Sequence, residues 1–169
     1  MAELGRATVG PGRVYLTGGA TAVLIGWREA TVDVDLKADP EPGKFFEAIA
    51  RLKDQLDVNI ELAAPDQFIP PLPGWRERSR PIGRRGALAF YHYDFYAQAL
   101  SKIERGHRRD LLDVEQMIRR RLIDLGELPR LFDAIRPELL RYPAIDPESF
   151  SERVAAMIGW AQEARSEGD

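Results

Sequence analysis

Hydrophobic and polar positions alternate in two short stretches of the chain. Val32, Val34 and Leu36 interleave with Asp33 and Asp35, and Val58, Ile60 and Leu62 interleave with Asn59 and Glu61. A period of two is the mark of a half-buried strand. It predicts strands over Thr31–Lys37 and Asp57–Leu62. An apolar run, Val14–Leu16, predicts a first strand, and the small-residue stretch Ala20–Trp27 a first helix. Between the two alternating strands, Phe45, Ile49, Leu52 and Leu56 fall at helical spacing and predict a helix over Lys44–Leu56. A strand–helix–strand passage of this length favours a right-handed crossover and parallel pairing. Further on, Ala87–Asp94 alternates again and forms an expected hairpin with Pro81–Arg85 around Gly86.

From Phe95 the pattern turns helical, with helices expected over Tyr96–Arg105, Arg108–Leu122 and Leu128–Leu140. A fourth opens at Asp146-Pro147-Glu148, with Asp at the cap and Pro in the first turn, and runs into a polar tail expected to fray. Residues 1–13 read either as a short helix or as a loose lead-in. Pro65–Trp75 carries Pro65, Pro70, Pro71 and Pro73 and excludes helix and central strand. It reads as a stiff loop tucking Phe68, Ile69, Leu72 and Trp75 back on the sheet, or as a polyproline ligand for a partner. The expected architecture is α/β in the α+β sense: a mixed sheet with flanking helices over residues 1–94, then a C-terminal helical bundle over residues 95–169.

Composition narrows the chemistry. The chain has 169 residues and no cysteine, which excludes disulfides and thiolate metal sites. The N-terminal stretch Met1–Arg6 has no apolar signal core, and no apolar run is long enough for a bilayer, so a cytoplasmic protein with no membrane partner is expected. The net charge of −3 is uneven. Residues 1–70 hold 7 basic and 11 acidic side chains, residues 71–141 hold 15 and 10, and residues 142–169 hold 2 and 6. The middle block is either a solvated surface or a face for a phosphate-rich partner such as RNA. Arg76, Arg78, Arg80, Arg84 and Arg85 are its densest part, and arginine pairs bidentately with phosphate.

The first alternating strand carries the strongest chemical signal. Asp33 and Asp35 share a strand face, and two carboxylates that close repel unless a cation neutralises them. Hard ions such as Mg²⁺ (or Mn²⁺) use such oxygens and leave positions for water and phosphate. Parallel pairing would bring Glu61 to the same face. Upstream, Gly18-Gly19 lets a backbone turn approach phosphate closely, with a helix N-terminus behind it.

Gly18-Gly19, thirteen intervening residues, then Asp33-Val34-Asp35 resembles the signature of the nucleotidyltransferase fold of the DNA polymerase beta superfamily. Within it the chain looks like the small bacterial nucleotidyltransferases related to abortive-infection and toxin–antitoxin toxins. Arg28, Thr31, Asp33 and Asp35 resemble that group's Arg…Ser/Thr-x-Asp-h-Asp. The stretch from Lys102 through Arg105 to Asp110 and Asp113 resembles its Lys-x-x-Arg…Arg-Asp-h-x-Asp helical segment. The resemblance covers about residues 14–123 and implies transfer of a nucleoside monophosphate from a nucleoside triphosphate to an acceptor hydroxyl on RNA, tRNA or protein. It implies that Asp33, Asp35 and Glu61 hold Mg²⁺, with Glu61 also a candidate base. It further implies that Gly18 and Gly19 meet the β- and γ-phosphates, that Lys102 neutralises triphosphate charge, and that Arg28, Thr31, Asp110 and Asp113 support the site. A cognate antitoxin protein is an implied partner. Ala20 follows the glycines where many relatives carry Ser or Thr, and Thr21 comes one residue later. The alternative from another class is a catalytically weak module that binds a nucleotide or a protein.

Overall fold

The structure, a computed structural model, describes residues 1–166. Residues 167–169 of the polar tail lie outside the described residues. The elements run α1 (Ala2–Ala7), β1 (Gly12–Thr17), α2 (Gly18–Ile25), β2 (Asp33–Ala38), α3 (Phe45–Leu56) and β3 (Asn59–Glu61). They continue with α4 (Trp75–Arg78), β4 (Arg80–Arg85), β5 (Leu88–His92), α5 (Phe95–Arg105), α6 (Arg108–Arg119), α7 (Glu127–Ile135) and α8 (Pro147–Ser166). Two compact units result. One is Met1–Ala64 with Arg76–Asp94; the other is Pro65–Trp75 with the residues from Phe95 on.

The first unit is built on a five-stranded mixed sheet in the order β3-β2-β1-β5-β4. β1 runs antiparallel to β2 and parallel to β5, β2 runs parallel to β3, and β4 closes the hairpin antiparallel to β5. The crossover through α3 thus gives the parallel pair that the spacing predicts. Residues opposite one another in register share a face. Val14 pairs with Phe90, Leu16 with Leu36, and Val34 with Ile60. These apolar positions, with Leu88, meet Phe45, Ile49 and Leu52 of α3 and Ala20 of α2 in one core. The opposite face carries Tyr15, Thr17, Asp33, Asp35, Asn59 and Glu61. Tyr15 stacks on Tyr91 at 5.3 Å between ring centroids, so the aromatic run of β5 packs the sheet.

Two of the arginines of the dense basic stretch are ion-paired within this unit. Arg76 pairs with Asp39, and Arg78 pairs with the buried Asp94 at 2.6 Å. The chain start is helical, as α1, and Leu4 of that helix enters the core.

The second unit is helical. Pro65–Trp75 belongs to it and not to the sheet unit, against the expectation that the stretch tucks back on the sheet. It opens with a 3₁₀ turn, Pro65–Gln67, and buries Ile69, Leu72 and Trp75, while Phe68 stays exposed. Phe132 of α7 meets Phe150 of α8 edge-on at 4.8 Å. Helix α7 stops at Ile135, short of the expected Leu140, and continues as 3₁₀ over Arg136–Arg141. Pro137 explains the change, since its ring clashes with the preceding turn and it has no N–H to donate. Asp146 caps α8 as expected, accepting from the Glu148 N–H at 3.1 Å and from the Ser149 hydroxyl at 2.8 Å. These two bonds, the Ser149 hydroxyl first, lower its carboxyl pKa. Among the described residues no helix is long and apolar enough to cross a membrane.

Candidate active site

Thr17 ends β1 in an extended conformation, and Gly18 turns at once into α2 with φ at 56°. That left-handed value favours glycine. A second constraint comes from across the sheet. Thr17 is the register partner of Asp35, so the Asp35 carboxylate lies beside the turn. A Cβ placed on Gly18 would sit 2.7 Å from Asp35 Oδ2, and one placed on Gly19 would overlap the Thr31 hydroxyl. The turn favours glycine at position 18, and the Thr31 side chain crowds position 19. Thr17 makes no side-chain cap bond at the start of α2, and no acid lies in its first turn. The positive end of the α2 dipole points to the turn beside the half-buried Asp35.

Thr31 organises the entry into β2. Its hydroxyl donates to the Asp33 carbonyl at 2.9 Å and accepts from the Asp33 N–H at 3.3 Å. Asp33 and Asp35 then take the same face at i and i+2, and Asp35 stands in register with Glu61. Strand pairing therefore gathers Asp33, Asp35 and Glu61 on one face at one end of the sheet, as expected for Glu61. Asn59 is the register partner of Asp33, and its Nδ2 donates to Asp33 Oδ1 at 3.2 Å and to Glu61 Oε1 at 2.8 Å. Sequence reasoning did not assign Asn59 a role. The signal was present, since Asn59 and Glu61 share a face by the same two-residue spacing as the aspartates. Arg28 lies half-buried in the connection between α2 and β2.

The donor set is carboxylate oxygen alone, which suits a hard cation. Among the described residues no three acidic or imidazole side chains converge on a point that could hold a metal. Glu61 instead directs one oxygen to Asn59.

Lys102, Asp110 and Asp113 lie in the helical unit. Lys102 is buried and sends its Nζ to Asp110 Oδ1 at 2.7 Å and to Asp113 Oδ2 at 2.8 Å. Arg105 Nε approaches Asp110 Oδ2 at 3.3 Å. Two carboxylates and two cations balance, and the cluster joins α5 to α6. Burial of the whole cluster is what the sequence did not reveal.

A second buried polar cluster stands behind the glycine turn. Thr21 donates to the Leu16 carbonyl at 3.0 Å, and its oxygen lies 3.2 Å from His92 Nδ1. With the hydroxyl proton given to Leu16, His92 Nδ1–H is the donor to Thr21. The hydroxyl is thus turned to the core and away from the N-terminal end of α2. Burial, and next the charge of Arg80, lower the His92 pKa from the usual 6.5 to about 4. The folded protein therefore binds fewer protons than the unfolded chain between these values. His92 stabilises the fold fully above pH 6.5, and this is lost as pH falls towards 4. The midpoint of urea unfolding is expected to fall over that window, and less steeply in His92→Gln. Equal slopes for the two proteins would contradict this assignment.

No curated protein and no solved structure matches the chain. Over residues 10–157 the sequence matches a family described as a nucleotidyltransferase of unknown function, DUF6036. The match takes in the glycine turn, all three acids of the sheet and the Lys102 cluster. The chain therefore belongs to this nucleotidyltransferase family.

Proposed function

We propose that the protein is an Mg²⁺-dependent nucleotidyltransferase that moves a nucleoside monophosphate from a triphosphate to an acceptor hydroxyl. The observation that carries this reading is the gathering of Asp33, Asp35 and Glu61 on one sheet face, with the Asp35 carboxylate packed on the Gly18 turn into α2. Carboxylates for a cation and a helix terminus for phosphate lie side by side there. In the reaction the acceptor oxygen forms a bond to the α-phosphorus. The bond from the α-phosphorus to the bridging oxygen breaks, and pyrophosphate leaves with that electron pair. Bound Mg²⁺ would supply Lewis-acid stabilisation of the phosphate charge. Asp33 and Asp35 would hold it. Glu61, in register with Asp35, is placed to take the acceptor proton or to complete the ligand set. Backbone groups of Gly18 and Gly19 would meet the β- and γ-phosphates. Thr31 positions Asp33, and Arg28 is a candidate phosphate contact. In the helical unit, Lys102, Asp110 and Asp113 act as a buried clamp, a role supported by their mutual distances.

An anionic acceptor such as RNA is supported by Arg13 and Arg84. Both flank Ala89 in one cross-strand row, on the face that carries the acids. Both are exposed, and among the described residues neither guanidinium is in an ion pair. Arg13 is four residues from Thr17 on β1, about 13 Å at strand rise. The second reading is a catalytically weak module that binds a nucleotide or a protein, favoured by the lack of three converging acids among the described residues.

Binding to the folded state raises its stability by mass action, by about 2.7 kcal/mol at a hundredfold excess over Kd. A rise of several degrees in melting temperature is expected with at least one of the four NTPs plus Mg²⁺. No rise with any of them would overturn both readings.

A further inference from the structure

The core face of the sheet is not filled along its whole length. Helices α1, α2 and α3 pack on it, and between them lies a cavity of about 490 Å³ whose lining residues all belong to the sheet unit. In its first turn α2 brings only the small Ala20 to this space. Leu24 of α2 and Leu56 of α3 line the cavity and are 45% and 53% exposed, so it opens to the surface.

The lining decides what can occupy it. Leucine, isoleucine and valine dominate. Glu3 and Thr31 bring the polar side chains, and both are engaged: Glu3 pairs with Arg6, and the Thr31 hydroxyl bonds the backbone N–H and carbonyl of Asp33. Water in such a space needs about two to four polar partners. Among the described residues no lysine or arginine lines the cavity, so an anion would be buried without a partner. Left empty, an apolar space of this size forfeits packing on every wall. The volume lies within the range of ligand pockets, about 300–1,000 Å³. Walls of sheet and three helices enclose a small molecule, whereas a protein partner needs a broad face of about 800 Å².

We propose that this cavity is a binding site for one uncharged, largely aliphatic small molecule, on the face of the sheet opposite the acids. Val34, between Asp33 and Asp35 on the same strand, is part of its wall. The proposal stands independently of the transfer reading.

The test uses the full chain and the uncharged dye N-phenylnaphthylamine, whose fluorescence rises in an apolar site, with decanol and decanoate as competitors. Wild type is expected to bind the dye, decanol to displace it, and decanoate to displace it poorly. Val23 also lines the cavity. Val23→Phe fills it and is expected to weaken dye binding about tenfold, since each methylene denied burial costs roughly a factor of four. Decanol is expected to raise the melting temperature of wild type but not of Val23→Phe. Leu24→Trp, at the opening, is expected to weaken the dye in the same direction without disturbing the core. Asp35→Asn, and Leu140→Ser, which removes an apolar side chain exposed in the helical unit, are expected to bind the dye as wild type does. No binding by wild type, or wild-type affinity in both Val23→Phe and Leu24→Trp, would overturn the proposal. Loss of the dye in Asp35→Asn would move it to the acid face and overturn it likewise. Decanoate as effective as decanol would overturn the uncharged class. A dimer on sedimentation that Leu24→Trp breaks would give the opening to a second copy of the chain instead. Each of these results leaves the nucleotidyl-transfer reading standing.

Discussion

Asp35→Asn is expected to lower nucleotidyl transfer on the order of 10³-fold, about 4 kcal/mol of transition-state stabilisation, with little loss of stability. The substitution keeps the size of the side chain and removes its charge. Asp35 is the one acid that touches all parts of the site. It stands in register with Thr17 on one side and Glu61 on the other, and its Oδ2 lies against Gly18. A neutral amide there binds a hard cation poorly and presents N–H groups where a carboxylate oxygen is needed. Asp33→Asn shares the direction of the effect. Initial rates at saturating Mg²⁺ and NTP, with urea unfolding as the control for folding, measure it. A variant within about tenfold of wild type, some 1.4 kcal/mol, would remove Asp35 from the chemistry.

Lys102→Met is expected to destabilise the helical unit by about 3–5 kcal/mol, because it leaves two buried carboxylates without their shared cation. Asp110 and Asp113 are 7% and 3% exposed, too little for water to replace the ammonium. Methionine matches the length and bulk of lysine, so the loss comes from charge and not from a cavity. Arg105 reaches only one oxygen of Asp110. The triple variant Lys102→Met with Asp110→Asn and Asp113→Asn is expected to regain much of the loss, since no unpaired charge is then buried. Urea unfolding of the full chain checks both variants. A cost below about 1 kcal/mol for Lys102→Met, the usual range of an exposed pair, would contradict a buried clamp.

The strands, the crossover and the pair of aspartates were legible because period-two alternation reports one variable, burial of a sheet face. Asp33, Asp35 and Glu61 could be placed on one face by counting, and the parallel register confirms that they share it. Counting does not show what lies across from a residue. The overlap of Gly18 with Asp35 and of Gly19 with Thr31 depends on the register of β1 with β2 and on the approach of α2, which no local pattern encodes. The burial of Lys102 was not legible for the same reason, since its partners arrive on the next helix. Pro65–Trp75 was legible as rigid and non-helical, but a proline-rich stretch carries no face to say which unit it joins. The family match over residues 10–157 supports the nucleotidyltransferase resemblance and leaves its substrates open.

The central claim is transfer of a nucleoside monophosphate at the Asp33–Asp35 face. The most direct measurement is incubation of the full chain with Mg²⁺, total RNA and each NTP in turn, labelled either at the α- or at the γ-phosphate. Label is expected to enter RNA from the α-position and not from the γ-position, in wild type and not in Asp35→Asn. Transfer from the γ-position, or α-label transfer that persists in Asp35→Asn, would contradict it.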